Sequence, residues 1–205
     1  MKGLAGVCLL CALSTSAAAA APAPPSPTFA RTVVVAPVSG KVLVRIPGAP
    51  YYTPLTAART VPVGTIIDTT AGRVSLTSAN PAPGSVQSGQ FFRGTFQVRQ
   101  SASARGLVNL VLRDTVTRQS GCTPPAHASA VSKRILGLLR GNAKGHFRTV
   151  GRFSAATVLG TNWGVRDRCD GTLTVVREGV VSVRDFVRHE TVVVRTGQAY
   201  LAKAP

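Results

Sequence analysis

The chain has 205 residues, with 24 Lys and Arg against 7 Asp and Glu, a formal charge of +17 and 44% hydrophobic residues. Once a leader is removed, this length gives one domain a full core, and no run beyond the leader reaches membrane-spanning length. Seven carboxylates leave little choice for paired-acid catalysis, and beyond the leader three His and two Cys in no C-x-x-C or H-x-x-x-H spacing give no metal-ligand pattern.

Residues 1–21 hold one Lys, an apolar run from about Leu4 to Leu13, and alanines at 17, 19 and 21 that fit an A-x-A cleavage site. This predicts a secretory signal peptide and a secreted protein, with association to the cell envelope as a further expectation. Its removal takes Cys8 and Cys11 and leaves Cys122 and Cys169, an even pair in an oxidising compartment, so one disulfide is expected. On the chain-entropy account, closing a loop of that size contributes roughly 4 kcal/mol.

Residues 22–30, "PAPPSPTFA", read as an extended proline-rich leader, and residues 31–205 as a single disulfide-stapled β-rich domain. From Val33 to Ile46 two short β-rich runs are broken by "PVSG", with Val42, Val44 and Ile46 on one face and Lys41 and Arg45 on the other. "TVPVGTIIDTTAGRVSLTSA" predicts a hairpin turning at "TTAG", with Gly72 at positive φ, and residues 78–89 a surface loop. Phe92, Gly94, Phe96 and Val98 then alternate with Arg93, Thr95, Gln97 and Arg99 as a strand, and Val108, Leu110 and Leu112 mark its partner.

Over about 126–140 the period changes. Val131, Ile135, Leu138 and Leu139 fall at i, i+4, i+7 and i+8, with Pro125 near the start and Gly141 as the stop, which predicts an amphipathic helix with Lys133, Arg134 and Arg140 on its solvated side. Strands resume at "GHFRTVGRF", "AATVLGTNW", "GTLTVVREG", "VVSVRDF" and "TVVVRTGQAYLA". The expected fold is mainly β, an antiparallel sandwich or roll with one helix.

Cys169, in "RDRCDG", has two readings. Asp167 and Asp170 oppose a thiolate while Arg166 and Arg168 favour it, and His146 or His189 is available as a base. The other reading is a disulfide to Cys122, joining the start of the helix to an Asn162–Asp170 loop, with Asp170–Gly171 as the turn into one strand and Glu178–Gly179 turning it into a second, antiparallel one. "QSGC" resembles the Ser-x-Gly-Cys region of L,D-transpeptidases, but Ser120 stands where those enzymes carry a His and no His precedes Cys122. A cell-wall-modifying enzyme with a Cys nucleophile is therefore the alternative expectation, and a non-catalytic module the main one. "GNAKGHF" lacks a phosphate-loop motif, so no cofactor is expected.

Gly40, Pro62, Val63, Gly64, Asp68, Gly72, Arg73, Val74 and Leu76, within about 38–79, resemble the opening of FecR-like domains. Gly179, Val183, Val192, Val194, Gly197 and Tyr200, within about 179–202, resemble their closing hairpin. Residues 145–185 are similar to a segment of secreted actinobacterial proteins that has no assigned function. The FecR resemblance implies an exported β-module of the envelope. Since the family signals through a membrane helix, the expectation here is binding or display without transmembrane signalling.

The charge has two open readings: coding bias toward Arg, or attraction to a polyanion. Under the second, the outward residues Arg45, Arg93, Arg99, Arg148, Arg152, Arg177, Arg184 and Arg195 are the candidate anion-binding surface. The expected partners are an anionic cell-wall polymer or polysaccharide, or another envelope protein. No nucleic-acid module is present to support a specific nucleic-acid partner. Trp163, Tyr51 and Tyr52 are candidates for stacking on a sugar or for the core.

Overall fold

A computed structural model describes residues 25–113, 122, 132–158 and 160–205. Strands β1 (Thr32–Arg45), β2 (Thr53–Pro54), β3 (Arg59–Pro62), β4 (Ile66–Ala79), β5 (Val86–Phe92), β6 (Thr95–Gln100) and β7 (Val108–Leu112) form the first part of the chain. They are followed by β8 (Ile135–Lys144), β9 (Phe147–Val150), β10 (Ser154–Val158) and β11 (Thr161–Arg168). The last four are β12 (Gly171–Glu178), β13 (Val180–Asp185), β14 (Thr191–Arg195) and β15 (Ala199–Lys203).

These strands make one mainly β, barrel-like sheet in the order β14-β13-β10-β9-β7-β6-β4-β5-β8-β11-β12-β15. β1 lies along β4 and carries β2 and β3 on its other edge. Every pairing is antiparallel except β7 with β9. The two ends of the order meet at the turn between β14 and β15. There the Gly197 N–H donates to the Val176 carbonyl at 2.9 Å and the Thr196 N–H to Gly179 at 3.1 Å, so the sheet nearly closes on itself.

Alternation explains the closure, because each strand sends one row of side chains inside. Phe91 sits at the centre, with Phe96 at 5.7 Å, Phe147 at 5.4 Å and Trp163 at 6.2 Å between ring centroids. All four are buried, and the Trp163 indole N–H donates to Thr149 Oγ1 at 3.0 Å, which satisfies its polar edge. Each fully buried apolar side chain of this size contributes about 1.5–3 kcal/mol. Trp163 is therefore core and unavailable to a sugar. Tyr51 is exposed, and Arg45 lies over the Tyr52 ring, 5.0 Å from its centroid.

The structure differs from the sequence reading in definite places. No helix spans 126–140: residues 126–131 lie outside the described ones, and from Ile135 onward the chain is β8, paired with β5 and β11 on its two sides. Leu139, Gly141 and Ala143 face inward with period two, and a bulge at Leu136 supplies the extra apolar residue that mimics a helical repeat. Gly141 is no stop signal. A Cβ there would sit 2.7 Å from the Trp163 ring, so glycine makes room for the indole.

Ile66–Ala79 is likewise one strand and not a hairpin. It bends where Gly40 (φ +65°) and Gly72 meet face to face, because a Cβ on Gly40 would lie 2.3 Å from the Ala71 carbonyl and one on Gly72 2.5 Å from the Lys41 carbonyl. Gly72 thus permits close approach and does not carry the positive φ expected of it. β1 is also continuous, with irregularities at Pro37/Ser39 and Lys41/Leu43, and Ile46 lies exposed beyond its end. Only 80–85 of the expected 78–89 loop is irregular. The strand expected from Phe92 to Arg99 breaks at Arg93–Gly94, where Arg93 has φ +69°, so Phe92 points outward and Phe91 inward. Asn162–Asp170 is largely strand β11, whose hairpin partner is β12. The two strands expected to pair about Glu178–Gly179 do not: β12 lies between β11 and β15, and β13 between β10 and β14.

Candidate functional site

Three strands, β8, β11 and β12, build a cationic patch on the outer face. Inside, Leu139, Val165 and Val176 are buried, which fixes which way the alternating residues point. Outside, Arg140 of β8 stands opposite Gly164 of β11, which stands opposite Val175 of β12. One step along, Leu138 stands opposite Arg166, which stands opposite Leu173.

Gly164 lacks a side chain, so the surface dips over it. Leu138, Arg140, Arg166, Val175 and Arg177 surround this depression of about 20 Å³, a seat for a single small group. A Cβ at Gly164 would contact Arg140 Cγ at an ordinary 3.5 Å, so nothing in the packing forces glycine there.

Electrostatics single out the same residues. Burial, and the like charges of Arg177, Arg93 and Arg166, lower the pKa of Arg140 below that of an ordinary guanidinium. Arg93 joins from the β5–β6 turn, where its N–H donates to the Thr69 carbonyl at 2.9 Å. Among the described residues no carboxylate forms an ion pair with any of these four arginines, and Glu178, next to Arg177 in sequence, forms none either.

The acids are engaged elsewhere. Buried Asp167 accepts the Arg152 N–H at 3.0 Å and the Thr172 hydroxyl, and burial raises its pKa despite these donors. Asp170 is held below the usual carboxylate range by Arg168, to which it is ion-paired and hydrogen-bonded. Asp185 accepts the Val187 and Arg188 N–H groups at 2.8 and 2.9 Å and the Tyr200 hydroxyl at 2.8 Å. These three donors hold it below the usual range although burial alone would raise it. Tyr200 is pushed up to about 12, first by burial and then by Asp185 and Glu190.

Of the eight arginines expected on one surface, the structure brings together only Arg93 and Arg177. Arg99, Arg148, Arg184 and Arg195 lie on β6, β9, β13 and β14, across β4 from the cluster in the sheet order. Arg99 bonds Gln97 and Arg148 bonds Asn109. Arg45 packs on Tyr52, and Arg152 sits in the β9–β10 turn against Asp167. Arg140 and Arg166 are the members that sequence reasoning missed, one assigned to a helix and the other to a loop. The period-two inward series Leu139-Gly141-Ala143 and Trp163-Val165-Asp167 is the signal that places them.

Cys122 and Cys169 are bonded to each other with Cα atoms 5.3 Å apart, and Cys169 is buried. His146 and His189 are exposed, and His127 lies outside the described residues. Among the described residues no group of three or more His, Cys, Asp or Glu is placed to hold a metal, and no helix is long and apolar enough to cross a membrane. Comparison with protein-family models, curated proteins and solved structures finds no match to this chain.

Proposed function

We propose that this protein is a secreted, non-catalytic β-module that binds an anionic polymer of the bacterial envelope through Arg93, Arg140, Arg166 and Arg177. The observation behind this reading is that Arg140, Arg166 and Arg177 ring a depression on one sheet face, with Arg93 near enough to act on Arg140 as a like charge, and none of the four has a carboxylate partner among the described residues. Guanidinium is weakly hydrated and forks onto carboxylate and phosphate oxygens, so such a patch gains by taking an anion. The disulfide supports an oxidising compartment. The FecR-like resemblance belongs to the same proposal as display without transmembrane signalling. The alternative, a cysteine-nucleophile enzyme, would require a free thiol at Cys122 or Cys169, and those two sulfurs are joined.

The test is equilibrium binding of the mature protein to isolated walls and to a soluble anionic polymer at low and high salt. Binding should weaken as salt rises, since the screening length falls from about 10 Å at 0.1 M to about 3 Å at 1 M. Arg140→Glu with Arg166→Glu should weaken it by about tenfold or more, while the equal charge change Arg99→Glu with Arg184→Glu, on β6 and β13, should do much less. Salt-independent binding, or equal loss in both double variants, contradicts the assignment.

A further inference from the structure

Resting on that anion-binding reading, we propose that the polymer is an acidic polysaccharide, its carboxylates taken by the arginines and its hydroxyls by an amide row beside them. The strand register creates this juxtaposition. Two residues along from Phe92, Arg140 and Gly164, the outward positions of β4, β5, β8 and β11 are Ser75, Gln90, Asn142 and Asn162, each opposite the next. Positions two apart on a strand are separated by about 6.8 Å and neighbouring strands by about 4.8 Å, so the rows run in parallel across the sheet. The two rows lie within the reach of one polymer chain.

The amide row also has a hollow of its own. Ser75, Ser88, Gln90, Asn142 and Lys144 line a trough of about 260 Å³ open to solvent. Arg73 stacks on Phe92, 3.9 Å from its centroid, and donates from Nη1 to Gln90 Oε1 at 3.2 Å. That bond engages the Gln90 carbonyl from the neighbouring row, where Arg73 stands opposite Phe92, and no hydrogen bond within the protein takes up the Gln90 amide N–H groups among the described residues. Each amide offers both donors and an acceptor, as each sugar hydroxyl is both donor and acceptor, whereas a bare polyanion matches only the arginines. Reading a single-stranded nucleic acid calls for open aromatic platforms. On this face Phe92 is already covered by Arg73.

The experiment compares the mature protein binding an oligogalacturonate, an oligoglutamate with the same number of carboxylates, and a single-stranded DNA of equal charge, all at one salt concentration. The oligogalacturonate should bind tightest, by about tenfold over the oligoglutamate. Gln90→Ala with Asn142→Ala, both exposed and so expected to leave the melting temperature unchanged, should cut oligogalacturonate affinity about fivefold and leave oligoglutamate affinity unaltered. Equal affinity for the two carboxylate chains, equal loss of both in the amide variant, tighter binding of DNA, or no binding of the oligogalacturonate overturns the inference. If the Arg140→Glu, Arg166→Glu variant abolishes binding while the amide variant changes nothing, the polysaccharide inference fails and the arginine site stands. If the arginine variant changes nothing, both fail.

Discussion

At the scale of single residues, polar side chains close the seam that the sheet leaves between its ends. Tyr200 of β15 reaches Asp185 at the end of β13, and Asp185 in turn caps the following turn. Because the folded phenol titrates near 12, above its ordinary 10, its contribution is complete below pH 10 and is lost between pH 10 and about 12. Asp185 works in the opposite sense: its depressed pKa contributes above 3.8 and is lost as pH falls below that value. Tyr200→Phe should lower stability by about 1 kcal/mol at neutral pH and flatten the alkaline decline, checked by urea midpoints across pH. An undiminished decline in that variant counts against the clasp. Gly141 is a second residue-scale case. Gly141→Ala pushes a methyl to 2.7 Å from the Trp163 ring and should cost about 1–3 kcal/mol, read as a lowered thermal midpoint together with changed indole fluorescence.

The elements depend on long-range pairing, and β8 shows how. Its own residues carry a helical repeat, but two neighbouring strands supply hydrogen bonds on both sides, and Leu139, Gly141 and Ala143 fit the inward row that those neighbours impose. Cys169 follows β11, and its N–H meets the Arg134 carbonyl at 3.2 Å, so the disulfide fastens the segment ahead of β8 to the β11–β12 turn. Replacing both cysteines, Cys122→Ser with Cys169→Ser, should lower stability by roughly 4 kcal/mol, and each single replacement by a similar amount. A denaturation midpoint unmoved by Cys122→Ser would deny the staple its role. Alternation within a strand was legible in the sequence: Val108, Leu110 and Leu112 face inward as read, and so do Val42 and Val44. What was not legible is which strands are neighbours. Gly72 reads locally as a turn residue and is in fact a point of contact between two bent strands, and Arg140 and Arg166 become one patch only when β8 and β11 pair.

For the whole molecule, near-closure of the sheet separates an apolar interior from a cationic exterior and divides that exterior into two halves. One half, β5-β8-β11-β12, gathers its arginines around Gly164, and the other spreads them over β6, β9, β13 and β14, with Arg99 and Arg148 bonded to neighbouring amides. If net charge alone governed binding, both halves would serve equally. The depression offers a direct probe, because Gly164→Val fills it without backbone strain and should weaken polymer binding while leaving the thermal midpoint within a few degrees of the parent. Amide-resolved NMR of the mature protein titrated with an oligogalacturonate locates the polymer on the sheet. The shifted amides should cluster at Arg140, Gly164, Arg166 and Arg177 and along the neighbouring Gln90–Asn142 row. Shifts spread evenly over the surface, or gathered on β9, β13 and β14, would contradict it.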